Sequence, residues 1–422
     1  MSPKKAYFIG IGGIGMSALA QLLHHDGWNV SGSDREESPT TELLKEKGMS
    51  VRIGQNAENV PADADMVIYT EAAWEDNAER MRAAELGLPQ KSYFEMLGEV
   101  SKGKRTIAIA GTHGKTTTTA MAARILSDAG VSPSAVIGSI VKDFKSNYLS
   151  GTSEWLVVEA CEYKGDFLTL APEVLVVTNI EWDHTDYYPN LEAVQESFLA
   201  LMKKAAVIVT NPKDKNIAPL LSGLSAKVID YTQEPAYELA LPGDFNQMNA
   251  RAAVAAARIA TPKITDKTIR TALSKFEGTW RRFDYKGKTK RGALVYDDYA
   301  HHPTAIQKTL AEFKKKPHGT LYVAFHPHLF SRTRDLLAGF AKAFKDADRV
   351  LIAPIYAARE EDDGTMSNSI LARKIEENGT DAKAADFTEI RRYFETEPGE
   401  GDIVVTMGAG DIYKVADELV AN

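Results

Sequence analysis

Short apolar runs recur along the chain, and most stop abruptly at a glycine, an acid or a histidine. Residues 6–9, 29–33, 50–53 and 66–69 form a first group. Residues 107–110, 136–137, 155–158, 174–177 and 207–210 form a second. A third lies at 293–296, 321–325, 349–353 and 402–406. Runs without polar alternation read as strands buried on both faces of a parallel sheet. Segments between them carry helical patterns, among them 16–25, 77–86, 115 toward 130, and the alanine-rich run ending at Ala260. The alternation of strands and helices predicts an α/β chain. The polar break Lys102-Gly103-Lys104 marks one boundary and Glu277-Gly278 a second. Three domains follow, at 1–103, 104–278 and 279–422.

The sharpest chemical signal opens the second domain. Gly111-Thr112-His113-Gly114-Lys115-Thr116-Thr117 leads from a strand through a tight turn into a helix. The backbone N–H groups of such a turn, with the positive end of the helix, face phosphate oxygens. Lys115 is placed to reach terminal phosphates, and the Thr116 hydroxyl to hold magnesium. The general pattern wants glycine where Ile109 stands, so this is a shorter variant.

An earlier turn, Gly10-Ile-Gly12-Gly13-Ile14-Gly15-Met16, follows the first strand, and Asp34 ends the second. An acid about 20 residues after such a turn marks dinucleotide sites. Alone, this unit reads as NAD-binding, with Asp34 on a ribose. Further polar clusters stand at strand ends, where open α/β sheets place ligands. They are Glu159-Ala-Cys161-Glu162, Thr178 to Asp186 with Asp183-His184, Asp297 to His302, and His326 to Arg334. Glu159 is suited to a second magnesium ligand. The histidines lack the spacing of a zinc site, which favours substrate orientation over zinc.

Composition narrows the picture. The 422 residues are 44% hydrophobic and 26% charged, as in a soluble globular protein. A net charge of −8 argues against general nucleic-acid binding. One cysteine excludes an internal disulfide and fits a reducing cytosol. No signal-peptide pattern or membrane-spanning run is evident.

Taken together, these stretches resemble the Mur ligases, ATP-dependent amide-forming enzymes of peptidoglycan synthesis, from end to end. The likeness is greatest to the branch joining L-alanine to the carboxylate of UDP-N-acetylmuramate through an acyl phosphate. It implies a Rossmann-like UDP-binding domain, a central ATPase with a mostly parallel sheet, and a Rossmann-like C-terminal domain. The first turn then holds a UDP-sugar diphosphate instead of NAD, through Gly12, Gly13, Ile14, Gly15 and Met16 with Asp34. ATP falls to Gly111, Thr112, His113, Gly114, Lys115, Thr116, Thr117, Phe245, Asn246, Asn249, Arg282 and Asp297. Magnesium, replaceable by manganese, falls to Thr116, Glu159 and His184. Lys115, Glu159, His184, His301 and Arg332 are the implied catalytic set. The implied partners are small molecules only, with no nucleic acid and no membrane insertion, in a cytoplasmic monomer or dimer.

The chain departs from the family pattern at named positions. Phe245 replaces a histidine before Asn246, so adenine would stack on a ring. Leu329 replaces an arginine, which leaves Arg332 and His301 for the amino-acid carboxylate. Cys161 replaces an aspartate. No lysine occurs in Ser197-Phe-Leu-Ala200, so no carbamate is expected. Two other readings stay open: a ligase attaching a whole murein tripeptide, and a nucleotide-binding regulator without catalysis.

Overall fold

The computed structural model describes residues 3–421. It divides into two compact units. The first takes the chain up to Glu181, with Val194–Ala240 and Asn246–Glu277. The second takes Trp182–Ala193, Leu241–Phe245 and the chain from Gly278 onward.

The first unit holds two sheets. Strands β1 (Lys5–Ile9), β2 (Asn29–Asp34), β3 (Ser50–Ile53), β4 (Met66–Tyr69) and β5 (Gln90–Ser92) form a parallel sheet in the order β3-β2-β1-β4-β5. Strands β6 (Arg105–Ala110), β7 (Ser134–Val141), β8 (Ser146–Leu149), β9 (Trp155–Glu159), β10 (Val174–Val177), β11 (Val207–Thr210) and β12 (Lys227–Asp230) form the other. Its order is β12-β11-β10-β6-β9-β7-β8, parallel except for the β7–β8 hairpin. The central strands are wholly buried, which explains their uninterrupted apolar sequences: Ile107, Ala108, Ile109, Ala110, Leu156, Val157, Val174 and Val176 are all inaccessible.

The two sheets are tied within this unit by helix packing. Gly98, in the helix Tyr93–Lys102, lies so close to Thr169 that an added Cβ would meet the Thr169 carbonyl at 2.6 Å. Thr169 Oγ1 donates to the Phe94 carbonyl, and Ser101 Oγ accepts from Ala171 N–H at 3.1 Å.

The second unit is built on β13 (Asp284–Lys288), β14 (Leu294–Asp298), β15 (Leu321–His326), β16 (Arg349–Ile352), β17 (Ala382–Ala384) and β18 (Ile403–Gly408). Their order is β13-β14-β18-β15-β16-β17, with only β13 antiparallel. One face of the sheet buries Ile306, Phe313, Phe325, Phe340 and Phe344, and the other Ile390, Phe394, Ile412 and Leu419. Strands β14, β15 and β18 run parallel, so they end together at one edge. That edge carries the polar clusters.

Candidate active site

The phosphate-loop turn starts where β6 ends. Gly111 has φ +133°, and a Cβ there would lie 2.1 Å from Thr178 Oγ1. Gly114 has φ +84°, and a Cβ would meet Asn249 Oδ1 at 2.3 Å. Only glycine serves at either position. The loop is pinned to the end of β10. His113 N–H donates to Asn179 Oδ1 at 2.9 Å, Thr178 Oγ1 donates to the His113 carbonyl at 2.6 Å, and Thr112 N–H reaches the Asn179 carbonyl at 3.1 Å. Asn249 Nδ2 donates to Asn246 Oδ1 at 3.2 Å, so both asparagines meet at the loop.

Lys115 and Thr116 begin the helix Lys115–Asp128. Lys115 Nζ donates to the Gly111 carbonyl at 2.6 Å and pairs with Glu162 at 2.9 Å. Burial works against its charge, but Glu162, helped by Glu159, more than offsets that and raises the Lys115 pKa. The ammonium therefore stays charged at neutral pH. Thr116 Oγ1 donates to Glu159 Oε1 at 3.0 Å, and Gly138 N–H holds Glu159 Oε2 at 2.8 Å. Between them, Cys161 is partly buried; burial, with Glu162 beside it, pushes its thiol up to about 12.

The other glycine turn lies at the end of β1. Gly12 N–H donates to Asp34 Oδ2 at 2.7 Å, and Thr40 donates to the Gly12 carbonyl. Gly13 is exposed and caps the helix Ile14–His25 with ordinary φ and ψ of −57° and 145°. Its N-terminal residues, Ile14, Gly15 and Met16, follow directly.

The second unit holds a separate cluster. Arg332, 2% exposed, donates from Nε to Asp183 Oδ1 at 2.7 Å and from an Nη to His328 Nδ1 at 2.8 Å. Burial would lift the Asp183 pKa, but Arg332 first, then His184 and His302, hold it well below the carboxylate range. Burial and Arg332 depress His301 well below its usual value and His328 to about 3, so both rings are neutral. Because Arg332 can only donate, His328 Nδ1 accepts, and its Nε2 carries the hydrogen. His301 Nδ1 sits 2.9 Å from the Tyr299 carbonyl and must donate there, leaving Nε2 as an acceptor. A hydrogen-bond donor, an acceptor and a cation stand together.

Three family domains match the chain. They are described as "Mur ligase family, catalytic domain" over residues 5–105, "Mur ligase middle domain" over 109–238, and "Mur ligase, glutamate ligase domain" over 281–410. The chain belongs to the Mur ligase family. A UDP-N-acetylmuramate–L-alanine ligase of Clostridium acetobutylicum is 38% identical over 99% of this Mur ligase and 98% of its own length. One from Clostridium botulinum is 39% identical over 99% and 97%. The crystal structure of a UDP-N-acetylmuramate-alanine ligase of Thermotoga maritima superimposes with a TM-score of 0.82 at 27% identity, covering 99% of this chain and 98% of that one.

Within this Mur ligase the residues named from sequence fall into distinct places. The turn Gly111–Thr117 with Glu159, Asn246 and Asn249 forms one cluster in the first unit. Gly12–Met16 and Asp34 form a second there. His184, His301 and Arg332 lie in the second unit, as does Phe245, which closes on Gly243. Asp297 is turned inward at 1% exposure. Its oxygens are taken by Arg281 Nε at 2.7 Å and Thr406 Oγ1 at 2.6 Å. Arg281 goes on to the Gly408 and Gly410 carbonyls at 2.6 and 3.0 Å, while Arg282 lies over the Tyr299 ring. Asp297 thus anchors the strand ends through Arg281. Leu329 is wholly buried, and its backbone has φ +70°.

Sequence reasoning had not singled out Glu162, Asp183 or Arg281 for a role. Glu162 was legible as the second acid of its motif, and Asp183 as the neighbour of His184. Arg281 gave no signal to separate it from Arg282.

Proposed function

We propose that this Mur ligase joins L-alanine to the lactyl carboxylate of UDP-N-acetylmuramate at the expense of ATP, in the cytoplasm. The observation that carries the reading is the phosphate loop, in which a charged Lys115 and the Thr116–Glu159 pair stand at one helix start.

A carboxylate oxygen attacks the γ-phosphorus; the bond to the β–γ bridging oxygen breaks and ADP leaves. The amine of alanine then attacks the acyl carbon, the bond to the phosphate oxygen breaks, and inorganic phosphate departs as the nitrogen loses a proton. Such a reaction asks the protein mainly for positioning and charge neutralisation. Lys115, held ready on the Gly111 carbonyl and Glu162, neutralises the transferring phosphate. The loop N–H groups and the helix start cradle the β- and γ-oxygens.

A hydroxyl and a carboxylate 3.0 Å apart are hard donors that suit magnesium or manganese. Thr116 and Glu159 would hold the ion. A bound divalent ion supplies positive charge against the β- and γ-phosphate oxygens.

Gly12–Met16 bind the UDP diphosphate. In the second unit, Arg332 and His328 donate to the carboxylate of alanine, and the lone pair of His301 faces its amine.

Release of phosphate and ADP, followed with ATP, UDP-N-acetylmuramate and a panel of L-alanine, glycine, L-serine and a murein tripeptide, tests this. L-Alanine should give the highest kcat/KM. Preference for the tripeptide would assign the chain to recycling, and turnover with none of them would end the ligase reading.

A further inference from the structure

A set of buried amides near the glycine turn of β1 belongs to neither substrate site. Asn147, on β8, is wholly buried. Its Nδ2 donates to the Ile14 carbonyl at 2.5 Å and to Ser17 Oγ at 2.8 Å, and its Oδ1 accepts from Gln21 Nε2 at 2.9 Å. Gln21 Oε1 accepts from Ser146 Oγ at 3.0 Å, and Gln21 Nε2 also reaches the Ser17 carbonyl at 3.1 Å. Ser17, Gln21 and Ser146 are buried too. An apolar contact here would let the helix Ile14–His25 slide or turn about its axis. A planar amide with both ends committed fixes rotation and height together. Ile14 is the first residue of that helix, so a hold on its carbonyl fixes the orientation of the helix's first turn, whose leading N–H groups have no partner within the helix.

The same hairpin reaches the phosphate loop. Its other strand, β7, supplies the Gly138 N–H that holds Glu159, and Glu159 in turn accepts from Thr116. Tyr93 packs on the turn from another side: a Cβ on Gly15 would lie 2.8 Å from its ring. One hairpin therefore grips the first turn of one phosphate-facing helix and the carboxylate beside another.

We propose that Asn147 is a positioning residue. Through the β7–β8 hairpin it fixes the UDP-sugar turn against the phosphate loop, and so sets where the muramate carboxylate stands toward the γ-phosphate. This rests on the reading that Gly12–Met16 hold the UDP diphosphate.

The test uses the full chain and Asn147→Asp, which keeps the shape and Oδ1 but sets an oxygen against the Ile14 carbonyl. Four quantities are measured: kcat per active site, with sites counted by calorimetric titration of a non-hydrolysable ATP analogue; the Kd of that analogue; the Kd of UDP-N-acetylmuramate alone; and Tm. The expected result is a fall in kcat of about 10- to 100-fold, with each separate Kd within about threefold of wild type. An unchanged kcat, or a loss matching only the fraction of inactive sites, overturns the proposal. Should Asn147→Asp not fold, Ser17→Ala removes one acceptor of the same amide. It should lower kcat about two- to fivefold, and an unchanged value there also overturns the proposal. Gly13→Ala checks the reading beneath. An added Cβ meets no protein atom nearer than 3.4 Å, so the fold keeps while a ligand would be crowded. If the Kd of UDP-N-acetylmuramate does not rise in Gly13→Ala, the diphosphate is not at this turn, whatever Asn147→Asp shows.

Discussion

Asp183 and Arg332, separated by 149 positions in the chain, share a hydrogen bond of 2.7 Å with both side chains almost wholly out of water. Neither is tolerable alone. Removing one partner of a buried pair typically costs about 3–5 kcal/mol, because the other charge is left uncompensated. Asp183→Asn should therefore lower Tm by several degrees, or prevent folding, while Asp186→Asn should do much less. A calorimetric scan of both variants decides it, and equal small shifts would mean that the Asp183 pair is not a keystone of this unit.

Arg332→Lys keeps the charge but loses the planar fork that presents its donors in fixed directions to Asp183 and His328. The Michaelis constant for L-alanine should rise about tenfold or more, as expected for one or two lost charged hydrogen bonds. Constants for ATP and the UDP-sugar should hardly move. Steady-state kinetics with each substrate varied in turn would separate the cases; an equal rise in all three would take Arg332 out of the alanine site.

Lys115→Met should abolish turnover, with a loss of at least about 100- to 1000-fold in kcat. Binding of UDP-N-acetylmuramate by calorimetry should survive, since Gly12–Met16 lie at a different sheet. Glu162→Gln is the informative companion. It frees Lys115 from its ion pair without emptying the loop, so it should weaken turnover far less than Lys115→Met.

Glu159→Gln should raise the magnesium needed for half-maximal activity by about tenfold, because a neutral amide is a poorer ligand for a hard cation. Bicarbonate should have no effect on wild-type activity, since the helix Leu191–Met202 carries no lysine to carbamylate. Stimulation by bicarbonate would contradict this.

Acid should destabilise the second unit through its histidines. The pKa values of His301, His326 and His328 are depressed in the folded chain, His326 to about 4 and His328 to about 3, with burial the first cause for each. Unfolded histidines titrate near 6.5. Below that value the unfolded chain binds more protons, so stability is full above about pH 6.5 and is lost as pH falls toward the folded values. Asp183, also depressed, adds to the loss only below about pH 4. Urea midpoints should fall with acidity across about pH 5 to 7.5. His326→Asn should make that fall shallower.

Much of this architecture could be read from the sequence, because buried parallel strands have little choice of residue. The runs at 107–110, 174–177 and 321–325 match β6, β10 and β15 to within two residues at either end. The phosphate turn was equally legible, since Gly111 and Gly114 answer to backbone conformations that other residues adopt only with strain. What stayed hidden was pairing across distance. Residues 182–193 and 241–245 are assigned by chain order to the central domain, yet both pack with the C-terminal one. Arg281 and Arg282 are identical to any pattern. Arg281, with left-handed backbone, is buried against Asp297, while its neighbour is only half-buried. Asn147 gave no signal either, because a short polar residue in a hairpin strand is usually solvated, and only its position opposite Ile14 makes it more.

The lone cysteine has a practical consequence. With its thiol pushed up to about 12, Cys161 carries almost no thiolate at neutral pH, and thiolate is the form that reacts. The wild-type chain should therefore be nearly silent toward maleimides. A cysteine placed at exposed Trp74, by Trp74→Cys, could then take a fluorophore alone. Such a label would follow the chain in solution without stripping the native thiol from beside the phosphate loop.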